Sequence, residues 1–449
     1  MKKYKSYSTY KPSGVEWLGE IPLHWEVIRL KHICWRAANY GANESSESYL
    51  EEGVRFLRTT DIDDFGNLSS EGAVFLEHSK VADYKLDDGD ILISRSGTIG
   101  RSFLYSKDKH GECAFAGYLV RFSLKEKYLP KFIFYFTKSR AFLDYIGISI
   151  IQSTIGNVNG QKYANMSLSI PRFKEQEDIV SFLDRETTRI DTLITKKCEL
   201  INLLEKKRAT IINDAVTKGL NHQVAMKDSG LPWVGKIPEH WEVKRLKFIS
   251  PEQTVGVVIQ PSSYVEEDGE IPFILGSDIS EGQINIENAR RISEKSNRKL
   301  SKSMLRTDDL VCVRVGEPGI TAVVPPELDG INCASIMIIR RSNKFNSHWL
   351  CYGMNSISGR ANIAIFAYGA AQKQYNISHA INFQYPVPPT LEEQECIAKF
   401  IAHKISPINQ ANQKIIEQIK ELKKYRQALI TAAVTGKIDV REEVERGAA

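Results

Sequence analysis

Two loops carry residue types that can engage a polyanion. Arg95-Ser-Gly-Thr-Ile-Gly100 follows the apolar run Asp90-Ile-Leu-Ile-Ser94, and Arg314-Val-Gly-Glu-Pro-Gly319 follows Asp309-Leu-Val-Cys-Val313. Both read R-x-G-x-x-G. Glycines let backbone approach a ligand closely, and an arginine at a strand end reaches a phosphate or a guanine edge. Ser96, Thr98 and Glu317 place further hydrogen-bonding groups on the same turns. The pattern is neither G-x-G-x-x-G nor a P-loop, because no Gly-Lys-Ser/Thr follows. The competing reading is a hairpin turn with a solvated arginine, and the recurrence of the loop after both strands weighs against it.

A second pair of loops is rich in amides. Gln152-Ser-Thr-Ile-Gly-Asn-Val-Asn-Gly-Gln-Lys162 offers Ser153, Thr154, Asn157, Asn159 and Lys162. Ala370-Ala-Gln-Lys-Gln-Tyr-Asn-Ile-Ser378 offers Gln372, Lys373, Gln374 and Asn376. Amide, hydroxyl and basic groups at this density suit base edges and phosphates. They equally suit a polar surface loop or a helix N-cap. Trp17, Trp25, Trp233 and Trp241 are read as core packing rather than base-stacking platforms. His24 and His240 have no second ligand nearby in sequence and are read as structural. Signatures of catalysis are missing: no Asn/Asp-Pro-Pro-aromatic string, no Walker A lysine, no H-E-x-x-H and no G-x-S-x-G. That favours a binding protein over an enzyme.

The elements that must position these loops come twice. Residues 13–33 return at 229–249, a shift of 216, with 14 of 21 positions identical. Residues 175–220 return at 393–438, a shift of 218, with no gap. A chain that repeats in this way is a pseudo-dimer of one module, suited to a two-part target. The globular parts read as mixed α/β with short strands, and helices are expected over 129–145 and near 347–361. Boundaries are expected at 1–171, 172–228, 229–388 and 389–449.

The repeated tails have a heptad-like seam. Ile401, Ile408, Ile415, Leu422 and Leu429 lie seven residues apart, and Leu183, Ile190, Leu204 and Ile211 hold the same register, interrupted by Lys197. Leu193, Leu200, Ile194 and Ile201 widen the stripe. Ser406-Pro407, and Thr188-Arg189 in the first copy, are read as the start of a long helix of about 30 residues after a break. The helices are expected to end before Lys218-Gly219 and at Gly436. Two matched seams in one chain favour antiparallel packing of one helix on the other. The fold class expected is α+β: two mixed α/β modules, two long antiparallel helices forming a coiled coil, and an internal pseudo-two-fold repeat.

Composition sets wider bounds. The net charge of +5 permits nucleic-acid binding without demonstrating it. Residues 175–218 hold nine acidic and eight basic side chains, so the surplus positive charge sits in the globular parts and the N-terminal arm. Seven scattered cysteines without CxxC spacing argue against a disulfide framework or zinc site and for the cytoplasm. No signal peptide is expected, and no apolar run is long enough to span a bilayer.

The W-x-G-x-I-P-x-H-W-E-V string, the strand with its Arg-Gly loop, the N-(I/V)-(S/N) loop and the P-x-x-x-E-Q helix entry at Pro171–Gln176 and Pro389–Gln394 together resemble the specificity subunit of type I restriction–modification systems. The likeness covers nearly the whole chain. It implies two target-recognition domains (1–171 and 229–388), each reading half of a bipartite double-stranded DNA sequence, and two helical spacers (172–228 and 389–449). It also implies docking to two modification subunits, which methylate adenine with S-adenosylmethionine. Restriction subunits that cut DNA with ATP and Mg would join them. The chain itself is expected to be non-catalytic, with no cofactor and no membrane. A self-sufficient methyltransferase or nuclease, or a coiled-coil scaffold with no DNA role, are the alternatives. The Asn-rich loops differ between the copies, which suggests unlike half-sites.

Overall fold

The computed structural model describes residues 4–151, 157–367 and 377–448. The chain divides into two compact units, Met1–Lys197 with Glu417–Ala449, and Cys198–Ile416. Two long helices, Phe173–Lys218 and Leu391–Val434, supply each unit with the start of one helix and the end of the other.

The units share one topology. In the first, an antiparallel sheet runs in the order Asn39–Tyr40, Leu119–Phe122, Ile91–Ser94, Ser102–Leu104. In the second the order is Gln253–Val255, Ile336–Ile339, Leu310–Val313, Thr321–Val323. The central strands are buried on both faces, which explains their unbroken apolar runs. A three-stranded sheet accompanies each: Val54–Leu57 pairs parallel with Cys113–Phe115, as Ile271–Ile274 does with Asn332–Cys333.

The repeated tryptophan string ties each module to its helices. Glu26–Arg29 pairs antiparallel with Ser167–Ile170, and Glu242–Arg245 with Gln384–Val387. This seats Trp25 and Trp241, both fully buried, on the helix starts. Trp25 Nε1 donates to Glu175 Oε1 at 3.1 Å, and His24 Nε2 lies 2.8 Å from Glu175 Oε2. Trp241 and His240 meet Glu393 in the same way. The following glutamines brace the starts of the helices Pro130–Phe136 and Ser347–Asn355. Gln176 accepts from Leu129 N and donates to Pro171 O, while Gln394 accepts from Asn346 N and donates to Pro388 O. The E-Q pair is therefore a structural latch. The helix ends close on the same tryptophans: a Cβ on Gly219 would stand 3.2 Å from Trp241, and one on Gly436 would clash with Pro22. Both glycines have φ of +73°, the left-handed helix stop.

Inside each unit the long helices pair antiparallel. Asp191 meets Arg426 and Lys197 meets Gln418 at 2.6 Å in the first, and Glu205 meets Asn412 in the second. As one number rises the other falls. Leu183, Ile190, Ile401, Ile408, Ile415 and Leu429 are buried, and Leu204, Ile211 and Leu422 are partly so. The widened stripe is a correction: Leu193 and Leu200 are exposed, and Ile194 and Ile201 only half-buried, because the partner covers one seam and no more.

Two further expectations fail. Each long helix is continuous, with Pro407 in its interior and no break at Thr188 or Ser406. An interior proline costs about 3 kcal/mol. The neighbouring Ile405 and Ile408 are buried, and that burial offsets the cost. The single helix expected over 129–145 is two, Pro130–Phe136 and Arg140–Ile151, and its counterpart is Ser347–Asn355 and Ile357–Ala367. Ser139 causes the break, donating to Phe136 O at 2.7 Å and accepting from Phe142 N. Ser356 does the same for Gly353 O and Gly359 N.

Candidate nucleic-acid interface

The two R-x-G-x-x-G loops are the turns of equivalent hairpins. Ile91–Ser94 pairs with Ser102–Leu104, and Leu310–Val313 with Thr321–Val323. Gly100 N donates to Ser94 O at 3.0 Å, and Gly319 N to Val313 O at 2.8 Å. Both glycines of each loop have positive φ: Gly97 +67°, Gly100 +84°, Gly316 +89° and Gly319 +93°. A Cβ on Gly319 would also overlap Ile363, so the turn is pressed onto the helix behind it. Turn geometry and close packing thus account for the glycines, and the arginine is left as the variable-purpose group. Thr98 and Glu317 are exposed on the turns, and Ser96 is half-buried.

Arg95 is half-buried, with its guanidinium 4.7 Å from the Tyr40 ring centre. Its Nε is buried and meets no hydrogen-bond acceptor among the described residues. Its backbone N–H donates to Tyr118 O, and its carbonyl accepts from Val158 N at 3.1 Å. The amide-rich loop therefore lies directly against the arginine turn, as the tyrosine does: Gly160 N donates to Tyr40 Oη at 2.8 Å. Around this point Trp35 and Tyr118 are exposed, and Arg36 lies 4.3 Å over Trp35. A cleft of about 560 Å³ beside them is lined by Lys31, Trp35, Arg36, Tyr40 and Gly160, among others. Cations interleaved with aromatic faces suit stacked bases and phosphates. Trp35, Arg36, Tyr40 and Tyr118 escape the sequence reading. The signal available was aromatic residues beside arginine outside the repeated string.

Other candidates have structural duties. Asn159 is the N-cap of Gly160–Asn165, accepting from Lys162 N at 2.9 Å. Lys162 Nζ donates to Ser149 O at 2.7 Å. Asn157 is half-buried in the same loop. Ser153, Thr154, Gln372, Lys373, Gln374 and Asn376 lie outside the described residues.

In the second unit Arg314 leaves its strand at the equivalent point and is half-buried. Strand register puts Val255 where Tyr40 stands, opposite Met337 as Tyr40 is opposite Val120. The tyrosine at that strand position is thus not repeated. Exposed Phe248, with Lys247 over its ring at 5.3 Å, forms an aromatic–cation pair in that unit. Beneath each hairpin lies a buried acid. Asp309 pairs with Arg340 at 2.6 Å; Asp90 bonds Ser123, and its carboxyl is pushed up by burial. Among the described residues no cluster of three or more His, Cys, Asp or Glu could hold a metal, and no helix is long and apolar enough to cross a membrane.

Comparison with known proteins bears on this arrangement. Residues 22–203 match the type I restriction modification DNA specificity domain. The type I restriction enzyme MjaVIII specificity subunit of Methanocaldococcus jannaschii is 23% identical, over 98% of each chain. The StySPI specificity subunit of Salmonella potsdam is 21% identical, over 85% of this chain and 82% of its own. A solved chain, described as the structural basis underlying complex assembly and conformational transition of the type I R-M system, superposes with a TM-score of 0.67. It is 18% identical, over 93% of this chain and 99% of its own, and the likeness shows a shared fold. Over residues 22–203 the chain carries the type I restriction modification DNA specificity domain, and along most of its length it is similar to type I restriction enzyme specificity subunits.

Proposed function

We propose that the chain is the non-catalytic DNA reader of its complex. Each unit reads one half of a bipartite duplex target, and the helices set the gap between the halves. The observation that carries this is the arginine hairpin built at the same place on the same sheet of both units. Phosphate contacts position a reader and base contacts give it choice, and an arginine at a rigid turn serves either. Half-sites read from one face of the duplex repeat about every 10–10.5 bp, so a stiff helical spacer selects the gap.

Catalysis falls to partners. Two modification subunits methylate adenine with S-adenosylmethionine after flipping it from the stack, and restriction subunits cut with ATP and Mg. The exposed Leu193, Leu200, Leu203 and Ile416 of the long helices give such partners apolar surface to bury. The test is methylome sequencing of cells with and without the gene. One bipartite adenine-methylated motif should vanish with the gene, and an unchanged methylome refutes the reading. Purified chain with DNA, ATP, Mg²⁺ and labelled methyl donor should neither cut nor methylate. Activity that tracks the pure chain overturns the assignment.

A further inference from the structure

The repeat places an arginine at the same position on each long helix, Arg208 and Arg426, 218 residues apart. Both reach the same loop of their own module. In the first unit the loop follows the short turn Thr59–Asp61, and Arg426 lies 4.8 Å over the ring of Phe65. Asp191 of the paired helix holds the guanidinium through Nε at 2.9 Å and Nη2 at 3.1 Å. In the second unit the loop follows the equivalent turn Gly276–Asp278, and Arg208 Nη1 donates to Glu281 Oε2 at 2.9 Å. Each turn is capped by the same aspartate, Asp61 onto Arg58 N and Asp278 onto Leu275 N, so Glu281 and Asp64 are counterparts.

The first loop is stiff on its inner side. Lys138 Nζ donates to Asp64 O and Ser102 O, Arg101 pairs with Asp64 at 2.6 Å, and a Cβ on Gly66 would strike Phe134. On its outer side it meets the helix where Phe65 lies under Arg426. Phe65 and Arg426 line both of two clefts, of about 670 and 410 Å³. The stacked pair is a strut between two openings. In the second unit the partner changes from a ring face to a carboxylate, and Asn409 stands where Asp191 does, yet an arginine still spans from helix to loop.

We propose that Arg208 and Arg426 are positioning residues that fix the angle at which each recognition module is held on its helix, and so decide which gap length the protein accepts. This rests on the function proposed above. A change of one base pair moves a half-site by about 3.4 Å and about 35° of twist, so a module free to tilt would tolerate neighbouring gaps.

Two measurements on the full chain test it. Hydrogen exchange reads the strut without DNA: Arg426→Ala should speed exchange at Gly66 and Asn67 several-fold, up to about tenfold, and leave Ile91–Ser94 unchanged. Arg208→Ala should do the same at 279–285. The Arg208→Glu and Glu281→Arg pair should restore protection that either change alone removes. The second measurement is methylome sequencing with each variant replacing the native gene. Both half-sites should keep their sequence, while sites with the gap one base pair longer or shorter become methylated. Unchanged exchange overturns the strut. Altered exchange with the gap still unique, or with a half-site changed instead, overturns its role in spacing. A native strain with no bipartite motif overturns the DNA reading itself, and the exchange result still judges the strut.

Discussion

Trp241 donates its indole N–H to Glu393 at 2.9 Å, joining the entry string of the second module to the start of a long helix. Trp25 and Glu175 repeat the contact in the first module, where Tyr7 Oη adds a bond to the same carboxylate at 2.7 Å. One acid therefore holds the tryptophan, the histidine before it and, in one module, the N-terminal arm.

Removing that acid strands a buried indole N–H. Glu393→Ala should lower stability by about 1–3 kcal/mol, and Glu175→Ala by more, since Tyr7 also loses its acceptor. Urea unfolding midpoints check this, with the exposed neighbour Glu395→Ala as reference. Midpoints equal to that reference would mean that the latch contributes nothing.

The seam makes a sharp contrast between neighbours. Ile415 is 8% exposed and Ile416 is 51% exposed. Ile415→Asp buries an unpaired charge and should cost several kcal/mol, with loss of folding or assembly. Ile416→Asp should leave stability within about 0.5 kcal/mol and weaken only the capture of a modification partner. Thermal unfolding and co-purification separate the two effects. If the two variants unfold alike, the seam is assigned to the wrong face.

Much of this was legible in the sequence, for a physical reason. Duplication repeats whatever the fold needs, so the tryptophan string, the E-Q helix entry and the glycine stops at Gly219 and Gly436 stood out together. Unbroken apolar runs gave the central strands of both sheets. Pro407 misled, because local propensity suggests a helix start and only the buried Ile405 and Ile408 show otherwise. Ser139 and Ser356 were missed because a serine inside an apolar helical pattern looks neutral until its hydroxyl bonds the backbone. The interface was legible only in part. Arg95 lies at a repeated position, but Tyr40 comes from a distant strand that pairing alone brings beside it.

Lys138 gives a pH signature. Burial pulls its ammonium from an ordinary 10.5 down to about 7, with Arg426 and Arg101 adding repulsion and Asp63 and Asp64 opposing it. The folded state thus binds this proton less tightly than the unfolded chain. The penalty is full below about pH 7 and is relieved as pH rises toward 10.5, so this group makes stability climb across that window. Unfolding midpoints at about pH 6.5 and 9.5 should differ less in Lys138→Met than in the native chain. An identical pH dependence in both would show that Lys138 stays charged throughout.

The hairpin arginines should act separately. Arg95→Ala should weaken one half-site and Arg314→Ala the other, because each sits on its own unit's turn. Loss of a bidentate contact to guanine would cost about 1–3 kcal/mol and relax choice at one base. Loss of a phosphate contact would weaken all sequences alike and flatten the salt dependence. Arg95 stacks on Tyr40 and has a buried Nε without an acceptor, so Tyr40→Ala should reproduce part of the Arg95→Ala defect at the same half-site. In the second unit Val255 stands in that place, and Val255→Ala should leave DNA binding unaltered. The measurement is a binding series over single-base variants of the motif at two salt concentrations, made on the assembled complex. Exchange of residues 229–388 for those of a relative should change one half of the motif and keep the other half and the gap. An arginine variant that alters both half-sites equally, or neither, would reduce these loops to turns. Recognition would then be sought in the amide-rich loops instead.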